Sequence, residues 1–427
     1  MRLATCKALA AGLLTLSVAA LTACGGSSDS GNAGAAKASV SSGGNVVDVY
    51  SSLPMRGPSG AQATALVNGI KLALAQAGSR AGPFTVQYTA LDDSGGPDGW
   101  DASQTAANAR KASADPRAVY YIGEFDDDAS EISMPILNEA GVPQVSPTNT
   151  YVGLTTNEPG SAAGEPRRFW PTGTRSYLRI VPIDSAQGAA VLLAMHQAEC
   201  ARVAVVDDGG AYGDHLARLV DLEKGLYGVN VVSMAGMEPN HGALRPSPAR
   251  LRVGRPDCFV LAGVASKGAV QLTRAVHAAV PTAKIFAPGA MCTRAWTNPK
   301  EGGVPASIGP LIECIAVTRD PAAYPGGRAF LAAYNAAYGT ANPSHYAILG
   351  YEAMKLGLST IAGLGANGDS KSAVLAALFS TTDRHSVLGT YSFDRDGDTS
   401  LRSYGLYKVG PGGNPTFLRT ITPPRVL

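Results

Sequence analysis

The chain is 427 residues long and carries 35 basic against 33 acidic side chains, a formal net charge of +2. That length leaves room for two domains with separate cores. Near-neutral charge without a basic cluster excludes nucleic acid and a polybasic membrane surface as the main partner.

At the N-terminus, Arg2 and Lys7 precede an unbroken small and apolar run, Ala8 to Ala20, followed by Leu21-Thr22-Ala23-Cys24. The run is too short for a comfortable bilayer span, so residues 1–23 read as a cleaved signal peptide. Leu-Thr-Ala-Cys resembles the bacterial lipobox. That implies a diacylglycerol thioether on Cys24, further fatty acylation such as palmitate, and anchoring to the cell membrane on its extracytoplasmic side. Residues 24–44 are almost entirely Gly, Ser, Ala and Asn beyond the cysteine, with too little apolar surface to offset the entropy of ordering them. They read as a flexible tether.

The body opens with a β-rich run, Val46–Tyr50, and a turn from Leu53 to Gly60 that contains Arg56 and Ser59. A helix is predicted over Gln62–Ala77, with Leu66, Ile70 and Leu74 on one face. Strands follow at Phe84–Leu91, Ala118–Ile122 and Val142–Val145, separated by helices Gln104–Ala112 and Ser130–Ala140. This alternation predicts a parallel sheet with helices on both faces. After Arg179-Ile180-Val181-Pro182 the same grammar repeats, with strands Arg202–Val206, Val229–Met234, Cys258–Ala262 and Lys284–Ala287. Helices Ala186–Gln197, Asp214–Lys224 and Lys267–Ala278 lie between them. The fold class is therefore α/β, with two doubly wound parallel-sheet lobes.

From about Ala316 onward the chain supplies helices at Ala329–Tyr338, Ala347–Ala362 and Ser370–Phe379, then a β-rich hairpin pattern, Gly389–Phe393 and Ser403–Val409. These are too few strands for a third lobe. The region is expected to be shared, giving an N-terminal lobe of 45–180 plus 318–390 and a C-terminal lobe of 181–317 plus 391–427.

Four cysteines remain in the body, Cys200, Cys258, Cys292 and Cys314. In an oxidising compartment an even number favours disulfides. Cys200 and Cys258 stand at the starts of strands that neighbour each other in a doubly wound sheet, and Cys292 and Cys314 flank one loop, so these are the expected pairs. Gly363-Leu364-Gly365-Ala366-Asn367-Gly368 matches a dinucleotide fingerprint but follows a helix, so its glycines read as a helix end. Asp394 to Asp398 looks like part of a calcium loop but lacks the distal glutamate and reads as a turn. The six histidines show no metal spacing and no nucleophile elbow is present. No enzyme chemistry, cofactor or metal is expected.

Dispersed motifs carry a stronger signal. They are Gly57-Pro58-Ser59-Gly60, Leu91-Asp92-Asp93, Ile122-Gly123, Gly141-Val142-Pro143 with Ser146-Pro147, and Arg179 with Asp184-Ser185 and Gln187-Gly188. Tyr212-Gly213 after Val205-Val206-Asp207-Asp208, and Gly389 to Asp398, complete the set. In order and spacing the body resembles the branched-chain amino-acid-binding lipoproteins of ABC importers, with the type I periplasmic-binding fold. The resemblance implies two lobes joined by three crossovers, here near Arg179–Pro182, Ala316–Arg319 and Gly389–Ser392. A ligand would lie between the lobes, beyond the carboxyl ends of the strands.

Relatives supply a small hydroxyl residue and backbone amides for the ligand's carboxylate after the third strand. This chain reads Gly123-Glu124-Phe125-Asp126-Asp127-Asp128 there, with Asp127 at the serine position, so Phe125, Asp126 and Asp127 are candidates and a cationic or amine-bearing ligand is suggested. The plainer reading has Asp128 capping the next helix. The resemblance carries Thr148 and Thr150 over as ligand contacts from the next turn. In the far lobe, Val264 and Gly289 stand where relatives often place an aromatic and an acid, so a near-lobe aspartate is left to meet an ammonium. Asp208 and Tyr212 face the cleft in a strand-turn-helix context, and Arg56 and Ser59 line the first turn. The function implied is capture of an amino acid or similar small polar ligand by a monomer that hands it to an ABC permease and its ATPases. A ligand-sensing receptor subunit with the same cleft is the alternative.

Overall fold

Val46–Leu53 is a strand buried along nearly its whole length, as expected of a run covered by helices on both sheet faces. The computed structural model describes residues 45–57, 59–96, 99–236 and 248–424. The signal segment, Cys24 and the tether lie outside the described residues. The described residues form one compact unit.

The first sheet runs, in spatial order, Arg80–Ala81, Phe84–Asp92, Val46–Leu53, Ala118–Ile122, Gln144–Ser146 and Tyr177–Arg179. All its pairings are parallel except the short hairpin at its edge. The second runs Val231–Gly236, Val203–Asp207, Cys258–Ala262, Lys284–Pro288, Ile312–Ala316, Tyr404–Val409 and Pro415–Ile421. Its first five strands are parallel and its last two antiparallel. The predicted two-lobed α/β class is the one observed.

The C-terminal third divides between the cores. Helix Ala347–Gly363 lies on helix Gly60–Gln76 in the first core. Their approach depends on glycine: a Cβ on Gly69 would stand 1.9 Å from the Ala347 carbonyl oxygen, and one on Gly350 would stand 2.2 Å from that of Leu66. Tyr404, Leu406 and Ile421 pack in the second core.

Three details differ from the sequence reading. Gly389–Tyr391 pairs with Arg384–Ser386, not with the strand after residue 403, whose hairpin partner is Pro415–Ile421. Because Tyr391 and Phe393 are buried in the first core, the third crossing falls after Phe393 rather than at Gly389–Ser392. Strands Tyr177–Arg179 and Ile312–Ala316 had also passed unread, the first because three residues carry no periodic pattern.

Cys200 and Cys258 are joined with their Cα atoms 5.8 Å apart, and Cys292 and Cys314 with theirs 5.9 Å apart. The first bridge braces adjacent strands, since Cys258 stands opposite Val203. Asp394 Oδ1 accepts the amides of Asp396 and Asp398, each at 2.9 Å, which makes that segment a self-satisfied turn. Among the described residues no helix is long and apolar enough to cross a membrane.

The crossings are held by a buried ion pair. Arg179, with no exposed surface, donates through Nε to Asp398 Oδ1 at 2.6 Å and through Nη1 to the Tyr151 carbonyl at 2.8 Å. Its Nη2 reaches Thr155 Oγ1. Arg179→Leu leaves Asp398 buried without its counter-ion and is expected to cost about 3–5 kcal/mol in chemical denaturation, much of it recovered when Asp398 is also replaced by leucine.

Candidate functional site

Ile122 ends a strand, and the chain turns through Gly123 to Asp126 before helix Asp127–Glu139 begins. The next strand ends at Ser146, and its turn is lashed to the first. Ser146 Oγ donates to the Glu124 carbonyl at 2.9 Å, and Thr148 Oγ1 donates to the Phe125 carbonyl at 2.8 Å. Asn149 Nδ2 donates to that same oxygen at 3.2 Å.

The acidic run sits on this double turn. Asp126 occupies the N-cap position without a side-chain cap bond. Asp128, expected as the cap on the plainer reading, lies in the first helical turn and is exposed. Asp127 turns inward, and its Oδ1 accepts the amides of Thr150 at 2.9 Å and Tyr151 at 3.1 Å. The Thr150 carbonyl in turn accepts the amide of Asp184 at 2.8 Å. Asp184 opens the first helix of the second lobe, so this chain of bonds runs from the acidic turn of one lobe to the start of the other.

Asp184 is the residue that the sequence reading did not single out as a contact. It has no exposed surface, and neither carboxylate oxygen finds a partner within hydrogen-bonding geometry. Burial first, then the Asp127 carboxylate, pushes its carboxyl up to about 7, with only partial offset from the Thr150 hydroxyl and Arg179. A signal was present in the sequence, an aspartate starting a helix just past a crossing, but a surface helix start looks the same.

The neighbouring acids respond alike. Burial followed by Asp93, Asp127 and Asp128 lifts Asp126 to about 7, and burial lifts Asp127 to about 6 against the opposing pull of its two amides and Arg179. Behind them lie Asp93 and Glu124, both wholly buried. Burial raises both, Asp93 to about 6, and Tyr121 donates to Glu124 Oε1 at 2.8 Å.

Across the cleft, Tyr212 starts its helix and donates to Gln187 Oε1 at 3.0 Å. Its phenol is raised by burial first and then by the charges of Asp184 and Asp127. Asp127, Thr150 and Asp184 are thus joined by hydrogen bonds, and Tyr212 is held by Gln187.

The other candidates are engaged within the protein, some in this double turn and some away from it. Asp208 brackets two turns by accepting the amides of Gly210 at 3.0 Å and Val264 at 2.9 Å, and Val264 itself is exposed. Gly289 is pressed on Ala316, where a Cβ would come within 2.6 Å. Arg56 Nε is held by Asp92 Oδ2 at 2.7 Å, and Ser59 precedes its helix without a side-chain cap. Phe125 contributes a ring to Tyr346, with centroids 5.4 Å apart, and the Thr148 hydroxyl is spent on backbone. A small recess at the crossings, bordered by Ile180, Pro182, Val317, Arg319 and Leu388, shares no residue with the acidic group. The unsatisfied carboxylates, not that recess, mark the site. Among the described residues no group of three or more His, Cys, Asp or Glu is placed to hold a metal ion.

The raised carboxyls link stability to pH. A carboxyl at 3.8 when unfolded and about 7 when folded binds its proton more tightly in the folded state. Its stabilising contribution is therefore complete below pH 3.8 and lost as pH rises through 7. The ligand-free melting temperature is expected to fall between pH 5 and pH 8. Asp184→Asn should flatten that fall, as followed by calorimetry.

A family model described as periplasmic binding protein matches residues 51–414. A curated relative, an amino acid binding protein of Pseudomonas aeruginosa, is 22% identical over 312 residues, covering 73% of this chain and 77% of the relative. Among solved structures, the branched-chain amino acid transporter substrate binding protein LivJ from Streptococcus pneumoniae, in complex with isoleucine, superposes with a TM-score of 0.68 at 17% identity. That match covers 88% of this chain and 99% of the other. A solute binding protein of an ABC transporter from Rhodopseudomonas palustris, in complex with p-hydroxybenzoic acid, gives a TM-score of 0.70 at 16% identity, covering 89% and 98%. At such identities the structural likeness fixes the fold, while the family model spans most of the body: the chain belongs to the periplasmic binding protein family.

Proposed function

We propose that this protein captures a small polar ligand, an amino acid or an amine of similar size, between its two lobes and delivers it to an ABC permease and its ATPases. The observation that carries the reading is Asp184, a fully buried and unpartnered carboxylate where the acidic turn of one lobe meets the first helix of the other. Buried polar groups without partners are costly and concentrate where a ligand completes them. Support also comes from the family, and from solved relatives that hold isoleucine or p-hydroxybenzoic acid. The work of the protein is differential binding: ligand favours a closed arrangement of the lobes, and that shape is what an importer recognises.

A thermal-shift screen of residues 45–427 against amino acids, polyamines and small organic anions tests capture. A ligand at 100 times its Kd should stabilise the protein by about 2.7 kcal/mol, and no shift with any class would count against ligand binding.

The working location is the extracytoplasmic face of the membrane, with Cys24 lipidated and 24–44 as the tether. Cys24→Ala is expected to move the protein from the membrane fraction to the soluble extracytoplasmic fraction without altering its melting temperature. Retention of the variant in the membrane would refute the anchor.

A further inference from the structure

Two successive amides, those of Thr150 and Tyr151, lie together in the turn that follows the buried strand Gln144–Ser146, an arrangement that attracts an anion. In this chain the anion is the protein's own, since Asp127 Oδ1 accepts both. A carboxylate arriving on a ligand would have to displace Asp127 and then lie beside it.

An independent observation points the same way. Asp184 is wholly buried with neither oxygen partnered, the Asp127 charge acts on it, and its own charge acts on Tyr212. The arginine that acts on both aspartates is already spent: Arg179 is divided among Asp398, the Tyr151 carbonyl and Thr155. The site thus presents carboxylate to an incoming molecule and no uncommitted guanidinium from Arg179. Asp126, without a cap bond, adds to the negative field beside the Phe125 and Tyr346 rings, whose faces favour a cation.

We propose that the cleft is built for a small organic ammonium ion lacking a carboxylate, with Asp184 as its counter-ion and Asp127 as an internal substitute for the acid group of an amino acid. This rests on the reading that the cleft captures a ligand, and it names the class. Relatives with a bound amino acid or aromatic acid hold a ligand that bears a carboxylate, the group this site would not accept.

Matched pairs differing only in the carboxylate decide the matter: leucine with 3-methylbutylamine, lysine with cadaverine, arginine with agmatine, and p-hydroxybenzoate as an anion. Isothermal calorimetry on the full chain is expected to show binding of one or more amines, with each parent amino acid at least about 100-fold weaker, because like charges in a desolvated site oppose each other. Asp184→Asn should weaken the bound amine at least about 30-fold while the ligand-free circular dichroism spectrum and a cooperative melt are retained, with only the pH dependence of melting altered. Asp127→Ser vacates the two amides and should narrow or invert the preference within the pair. If amino acids or p-hydroxybenzoate bind the wild type and the amines do not, the ammonium assignment is overturned and ligand capture stands. Silence of the wild type toward the whole panel counts against both. Amine binding indifferent to Asp184→Asn, or a pair preference indifferent to Asp127→Ser, overturns the role given to that residue.

Discussion

The arrangement of this molecule depends on Arg179, a guanidinium buried where the first crossing leaves its sheet. By holding Asp398 it ties the first crossing to the third, and by holding the Tyr151 carbonyl and Thr155 it fixes the turn that carries the cleft amides. Taking an arginine and an aspartate out of water is expensive, and the pair is tolerable only because the guanidinium is well supplied with acceptors. An apolar pair would hold the crossings as well but could not orient that turn. Its backbone amide also donates to the Gly397 carbonyl at 3.0 Å, so main chain and side chain set the same geometry.

The acidic group is placed by what surrounds it. Each of Asp126, Asp127 and Asp184 sits where burial raises its carboxyl, and the Asp127 charge pushes both of the others in the same direction. A core assembled for stability alone would not keep three such groups together, because burial opposes the ionisation of each and the Asp127 charge adds to that for the other two. The remainder of the body tolerates them: two separate apolar cores, two disulfides and helices brought close by Gly69 and Gly350 hold the strand ends in position. Local instability at a site supported by a rigid frame is the usual mark of function.

Much was legible in the chain because the relevant signals are local. Strands Ala118–Ile122 and Cys258–Ala262 are the runs expected from their apolar character, and helix Lys267–Ala279 follows a serine whose hydroxyl accepts the Ala269 amide. Asp127 stood out because a carboxylate replaces a small hydroxyl in a turn that resembles its relatives. Asp208 is a different case: an aspartate after a strand can serve a ligand or its own loop, and tertiary structure gives it the amides of Gly210 and Val264.

The sequence by itself determined the alternation of strands and helices, the two-lobed class and the unusual acidity of one turn, since periodicity and residue type are properties of short segments. Tertiary structure decided the rest. It set the third crossing beyond Phe393, because that ring finds its apolar partners in the first core only after distant helices have packed. It also turned Asp127 onto the amides of Thr150 and Tyr151 and left Asp184 buried without a partner. Those facts belong to long-range packing, where the cost of burying a charge is set by groups from every element around it, none of which its sequence neighbours reveal.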